Sequence, residues 1–161
     1  VNAELLPKLL PPLLIMSLVH LGGAFWLWRH SQVMPDSPVI NEASTLSNPF
    51  ELGNALKFGL LLSAILVLSI GARELFGDTG LYALAFISGL ADVDALTLST
   101  ARMSLSDLAG DIARNTILIA AFTNTGVKLV LAYVIGGRAL GLRVGAVVLA
   151  AMALASLSLV L

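Results

Sequence analysis

Long apolar runs alternate with short polar clusters along this chain. The runs are near the length at which a helix crosses a bilayer, about 20 residues at 1.5 Å each. A first helix is predicted over 12–28. Pro11 and Pro12 suit its first turn, and Trp26, Trp28, Arg29 and His30 close it with an aromatic belt and a basic anchor. Residues 31–50 read as an extramembrane loop punctuated by Pro35, Pro38 and Pro49. Asn48, Pro49 and Glu51 have the order of a helix start: cap, first-turn proline, acid at the positive end. A second helix follows over 49–75, with Lys57 placed to snorkel and Gly71, Arg73 and Glu74 at its far end. The connection 76–80 is short, so the second and third helices are expected to be antiparallel neighbours.

The third helix begins as apolar sequence at Gly80 and then carries Asp92 and Asp94 where mid-membrane should fall. Its apolar half is too short to span alone, and Gly89 precedes the acids. A break is therefore expected within 89–94, with a second half-helix over 93–103. Residues 104–114, with Ser106, Asp107, Asp111 and Arg114, read as an interfacial turn or short helix. A fourth helix is predicted over 111–136 and a fifth over 142–161. The expected fold class is thus all-α: a polytopic membrane protein of about five transmembrane helices, the third broken at its centre, forming one helical domain over 1–161.

Composition sharpens this picture. The chain is 58% hydrophobic and 12% charged, whereas soluble domains carry roughly 25% charged residues. Net charge is −1, so no basic footprint points to nucleic acid. Cysteine is absent, which removes disulfides, thiolate metal sites and cysteine nucleophiles. The first residue is Val1, and residues 1–28 lack the plan of a signal peptide. The chain is expected to be the C-terminal part of a longer protein. With five spans, Lys8, Arg73, Arg138 and Arg143 fall on one side and Arg29, Arg102 and Arg114 on the other, a bias placing the N-terminus in the cytoplasm.

Candidate chemistry gathers around the acids. Burying a carboxylate in hydrocarbon costs about 2.5–3.5 kcal/mol on the insertion scale, so Asp92 and Asp94 must face protein, water or a cation. Thr97, Ser99 and Thr100 follow with hydroxyl oxygens, Asn124 and Thr125 add further neutral oxygens, and Lys128 shares a helix face with Asn124. Such an oxygen set suits a hard cation. Lys128 is either a counter-charge that displaces the ion or a structural partner for one Asp. His20 is either a packed histidine bonded to a backbone carbonyl or a proton carrier. Gly137, Gly141 and Gly145, continued by Ala146 and Ala150, let helices approach closely, within the chain or at a dimer seam. Residues 70–75 and 135–140 echo each other (IGAREL, IGGRAL), the mark of parallel repeats or of chance.

The segments NPFELGNALKFGLLL (48–62), GLADVDALTLS (89–99) and AAFTNTGVKLVLAYVIGG (120–137) resemble a bacterial membrane domain of unknown function. That domain often follows an MgtC/SapB-type domain, absent here. The resemblance implies a cation-related role by association. The resulting expectation is a multi-pass protein of the bacterial inner membrane, a transporter or channel for a cation such as magnesium. Asp92 and Asp94 would bind the metal, and Thr97, Ser99, Asn124, Thr125 and Lys128 would complete the ion site. The alternative is a non-transporting assembly or regulatory subunit whose Asp/Asn/Lys network is structural. An enzyme is not expected, because aspartyl proteolysis needs carboxylates from separate elements and residues two apart on a helix diverge. No cofactor is expected beyond a bound magnesium or other divalent cation. The expected partners are the lipid bilayer, an inorganic cation, and a homo-oligomer or upstream membrane domain.

Overall fold

A computed structural model of the protein describes residues 5–30, 52–106 and 108–159. The expected loop 31–50, its Asn48–Pro49 helix start and Asp107 lie outside them. Among the described residues every regular element is helical: α1 (Leu5–His30), α2 (Leu52–Ala91), α3 (Asp94–Met103) and α4 (Gly110–Leu157). Three stretches are long and apolar enough to cross a membrane: Leu5–Arg29, Leu56–Ala91 and Gly110–Leu157. Large apolar side chains such as Leu18, Leu60, Val67 and Val134 cover the outside, as a lipid-facing surface requires.

The expectation of about five separate spans is corrected here. The predicted second and third helices are not divided by a loop, nor are the fourth and fifth. Each pair is one helical element that reverses at a single glycine. Gly77 (φ 65, ψ −152) folds α2 and Gly137 (φ 77, ψ 172) folds α4. Both dihedral pairs lie in a region that essentially only glycine occupies, so one residue turns the chain where 76–80 and 137–141 were expected to form loops.

The packing confirms the reversals. A Cβ on Gly80 would collide with the Ala72 carbonyl, eight positions earlier. In α4, Gly141 lies against Tyr133 and Gly145 against Leu129. The small-residue ladder therefore packs the two arms of α4 on each other within the chain.

The expected break in the third helix falls at Asp92–Val93, between α2 and α3. Its consequence was not anticipated: α3 turns back along α2. Leu96, near its start, packs with Ala85 and Ala120. Met103, at its end, packs on a cluster of Leu5, Leu81, Leu108, Ala113 and Ile117. Met103 also lines a groove of about 380 Å³ with Arg73 and Glu74, beside the Gly77 turn. Residues 78–91 and α3 thus form a re-entrant pair that enters and leaves at one end of the bundle. At 1.5 Å per residue its tip lies about 21 Å from the Gly77 turn.

That end also holds the start of α1 and of α4, tied by Lys8 Nζ to Asp111 Oδ1 at 2.9 Å. Lys8, Arg73, Arg102 and Arg114 therefore share one end, while Arg29, Arg138 and Arg143 lie toward the other. The bias of four against three inferred from five spans keeps its size, but its members change: Arg102 and Arg114 take the place of Arg138 and Arg143 beside Lys8 and Arg73. The sequence echo fails for the same reason. Gly77 follows Ile70 by seven positions and Gly137 follows Ile135 by two, and the two turns sit at opposite ends. Two smaller differences concern α1. It starts at Leu5, so Pro11 and Pro12 lie inside it rather than at its first turn. Each removes one backbone hydrogen bond near the helix end.

Gly77→Ala and Gly137→Ala should each cost about 1–3 kcal/mol, the usual penalty for a side chain in this backbone region. Gly59→Ala, on a straight stretch with open space around it, should be neutral or slightly stabilising. Thermal unfolding of the three variants in detergent checks the contrast.

Candidate functional site

The re-entrant tip is built from a few polar contacts. Asp92 ends α2 with its own N–H still bonded to the Ser88 carbonyl, at 2.8 Å. Its carboxylate then accepts from the N–H groups of Val93 (2.7 Å) and Asp94 (3.2 Å). Short acidic side chains bind nearby backbone donors in this way and interrupt helices. Here Asp92 satisfies two of the donors that the start of α3 leaves unpaired. The Thr97 N–H reaches the Val93 carbonyl at 2.9 Å, so α3 closes its first turn at once. Asp94 lies in that first turn, where a negative charge meets the positive end of the helix dipole.

Gly89 seats the tip on α4. A Cβ there would stand 2.6 Å from the Ala120 carbonyl and 2.8 Å from Thr123 Cβ. Only a glycine permits this approach, and it brings Asn124 Nδ2 to donate to the Gly89 carbonyl at 3.3 Å. Small residues at membrane helix crossings commonly work this way.

The residues singled out from the sequence fall into three groups rather than one constellation. Asp92 and Asp94 stand exposed at the tip, with Asn124 beside them through Gly89. Ser99 is buried in the seam between α3 and α2, and its hydroxyl donates to Ser69 Oγ at 3.5 Å. Thr97, two residues before it, is half-buried. Thr125 and Lys128 line a different space, a groove of about 430 Å³ between α1 and α4 that includes His20. Among the described residues no ion pair joins Lys128 to either carboxylate. The Thr125 hydroxyl donates to the Ala121 carbonyl at 2.8 Å. His20 Nδ1 donates to the Met16 carbonyl at 2.6 Å, the backbone bond expected of a packed histidine, which leaves Nε2 as its other polar atom.

One seam residue escaped the sequence reading, and another was read only as one of three hydroxyl oxygens after the acids. Ser69 is fully buried and donates to the Ile65 carbonyl at 2.7 Å. Thr100 is fully buried, and its hydroxyl has no hydrogen-bond partner. A lone serine in the apolar run before Gly71 was the available signal for Ser69. Thr100 was legible as a hydroxyl beside Thr97 and Ser99, and only its burial was not. Among the described residues no three His, Asp or Glu side chains gather closely enough to hold a metal. A cation at the tip would therefore take the two carboxylates together with neutral oxygens, a mixture that hard ions accept.

The family described as "Domain of unknown function (DUF4010)" matches residues 1–136. The match stops one residue before the Gly137 reversal, so it takes in the whole re-entrant pair and the Asn124–Lys128 face. An uncharacterized protein of Aquifex aeolicus is 40% identical over 97 residues, which are 60% of this chain and 42% of that relative. The chain thus spans less than half the length of the relative it matches. No solved structure matches.

Gly89→Ala should destabilise the protein by about 1–3 kcal/mol, since α2 and α4 must separate to admit the methyl group. Asn124→Ala should cost less, about 0.6–1.5 kcal/mol for one interhelical hydrogen bond. Gly71→Ala, with nothing near its Cβ position, serves as the reference. Unfolding midpoints in detergent rank the three.

Proposed function

The chain belongs to the DUF4010 family, and from that premise we propose that it is a cation transporter or channel of the bacterial inner membrane. The observation that carries this reading is the position of Asp92 and Asp94. They cap a broken, re-entrant helix pair about 21 Å from the Gly77 turn, a depth that falls within a bilayer core of about 30 Å. Broken helices at that depth are where transporters bind ions. The topology in this proposal is α1, the two arms of α4 and the first arm of α2 as four crossings, with residues 78–103 entering and leaving on one side.

The chemistry follows from charge. Two carboxylates two residues apart at one helix junction concentrate negative charge, and like charges repel more strongly in a low dielectric. A divalent ion such as magnesium removes that repulsion and suits an all-oxygen set. The last carbonyls of α2 add the negative end of a helix dipole. The buried hydroxyls of Ser69, Ser99 and Thr100 would line the way between the tip and the groove at Arg73 and Glu74. Coupling to an upstream MgtC/SapB-type domain belongs to the same proposal.

A second reading is supported by one observation. Asp92 spends one carboxylate oxygen on the Val93 and Asp94 N–H groups, which is structural work. In this alternative the protein is a non-transporting assembly or regulatory subunit, and the polar residues fix helix packing.

Asp92→Asn keeps an acceptor for both N–H groups while removing charge, so the fold should survive it. The Asp92→Asn, Asp94→Asn double variant should lose divalent-ion uptake in proteoliposomes by about tenfold or more, the consequence of about 1.4 kcal/mol or more of lost binding. Its unfolding midpoint should stay close to the parent's. Equal uptake by variant and parent would leave the structural reading in place.

A further inference from the structure

We propose that the tip is covered by a second copy of this chain, whose Lys128 faces Asp92 and Asp94. The inference rests on the reading above that the chain spans the membrane, and it concerns what completes that same site. Asp92, Asp94 and Lys128 are all exposed on the single chain. Charged side chains at membrane depth face protein or water rather than lipid, so both surfaces call for cover.

The two surfaces lie on separate flanks. α1 packs on α4, and α2 and α3 pack on α4 too, which leaves α4 between them. Lys128 opens into the α1–α4 groove beside His20, whereas the acids end the α2–α3 pair. One flank is thus negative and the other positive.

Their depths also agree. The tip lies about 21 Å from the Gly77 turn, and Lys128 lies about 27 Å along α4 from Gly110, which starts at the same end of the bundle. A lysine side chain covers the difference. Copies inserted in the same orientation are related by an axis along the membrane normal, so residues of equal depth meet. A contact between two different flanks is heterologous and closes into a ring when the rotation allows. Charge then balances in part: one lysine against two carboxylates leaves one negative charge for a proton or a cation.

The chain contains no cysteine, so the test is direct. Two differently tagged chains, one with Asp94→Cys and one with Lys128→Cys, are co-expressed and oxidised in membranes. Any 94–128 disulfide must then join two copies. A second pair, Ala91→Cys and Thr125→Cys, sits at matching depths and leaves all three charges in place, so the result does not hang on the charge substitutions. The expected outcome is a mixed dimer that exceeds either self-dimer for at least one pair. A monomer that closes 94 to 128 within one doubly substituted chain, without mixed dimers from either pair, would overturn the proposal. The readout is independent of ion flux, so a failed uptake experiment and a failed cross-link remain distinguishable.

Discussion

In hydrocarbon an unpaired peptide group costs several kcal/mol, and the bends of this chain are arranged around that cost. Two of the reversals among the described residues, at Gly77 and Gly137, use a backbone shape open to glycine and sit at the ends of helical arms. A further one, at Asp92–Val93, frees backbone donors and acceptors between two helices, and something must satisfy them. There the polar side chains do it. Asp92 takes the Val93 and Asp94 N–H groups, Asn124 donates to the Gly89 carbonyl, and α3 resumes helical bonding with Thr97.

The same residues thus answer two demands. The polar stretch around Asp92 ends one helix and starts another, while Asn124 in the facing helix repairs the junction. Gly89 makes the repair geometrically possible by letting α4 come close enough for the amide to reach. The carboxylate of Asp94 has no comparable structural employment among the described residues, and it is the group most available to an ion or a partner.

Polarity inside the bundle is graded rather than concentrated. Ser69 in the α2–α3 seam and Thr116, Thr123 and Thr125 along α4 return their hydroxyl hydrogen bonds to backbone carbonyls one turn earlier. This costs little, because such a hydroxyl needs no cross-helix partner. In the seam Ser99 donates to Ser69 Oγ instead, and Thr100 is buried without a partner among the described residues. The full charges stay outside that seam, at the bundle ends, at the tip and in the α1 groove. The arrangement separates what holds the helices together from what carries charge at depth.

The helical class and the membrane character were legible from the sequence, because apolar runs and a low charged fraction leave few other structures possible. The break near Asp92 was legible too, since a short apolar run, a glycine and two acids contradict a continuous span. So was the backbone bond of His20. What the sequence could not convey was direction. A two-residue interruption can continue a helix onward or send it back, and local composition is the same in either case. Only the docking of Met103 beside Leu81 and Arg73, rather than across the bundle, decided that α3 returns. That one reversal laid α3 back along α2, moved Arg102 and Arg114 to the end that holds Lys8, and dissolved the apparent repeat. Nor could the sequence say which way Lys128 faces: it lines the α1–α4 groove beside His20, because side chains that share a helix meet a given neighbour only when they present the same flank to it.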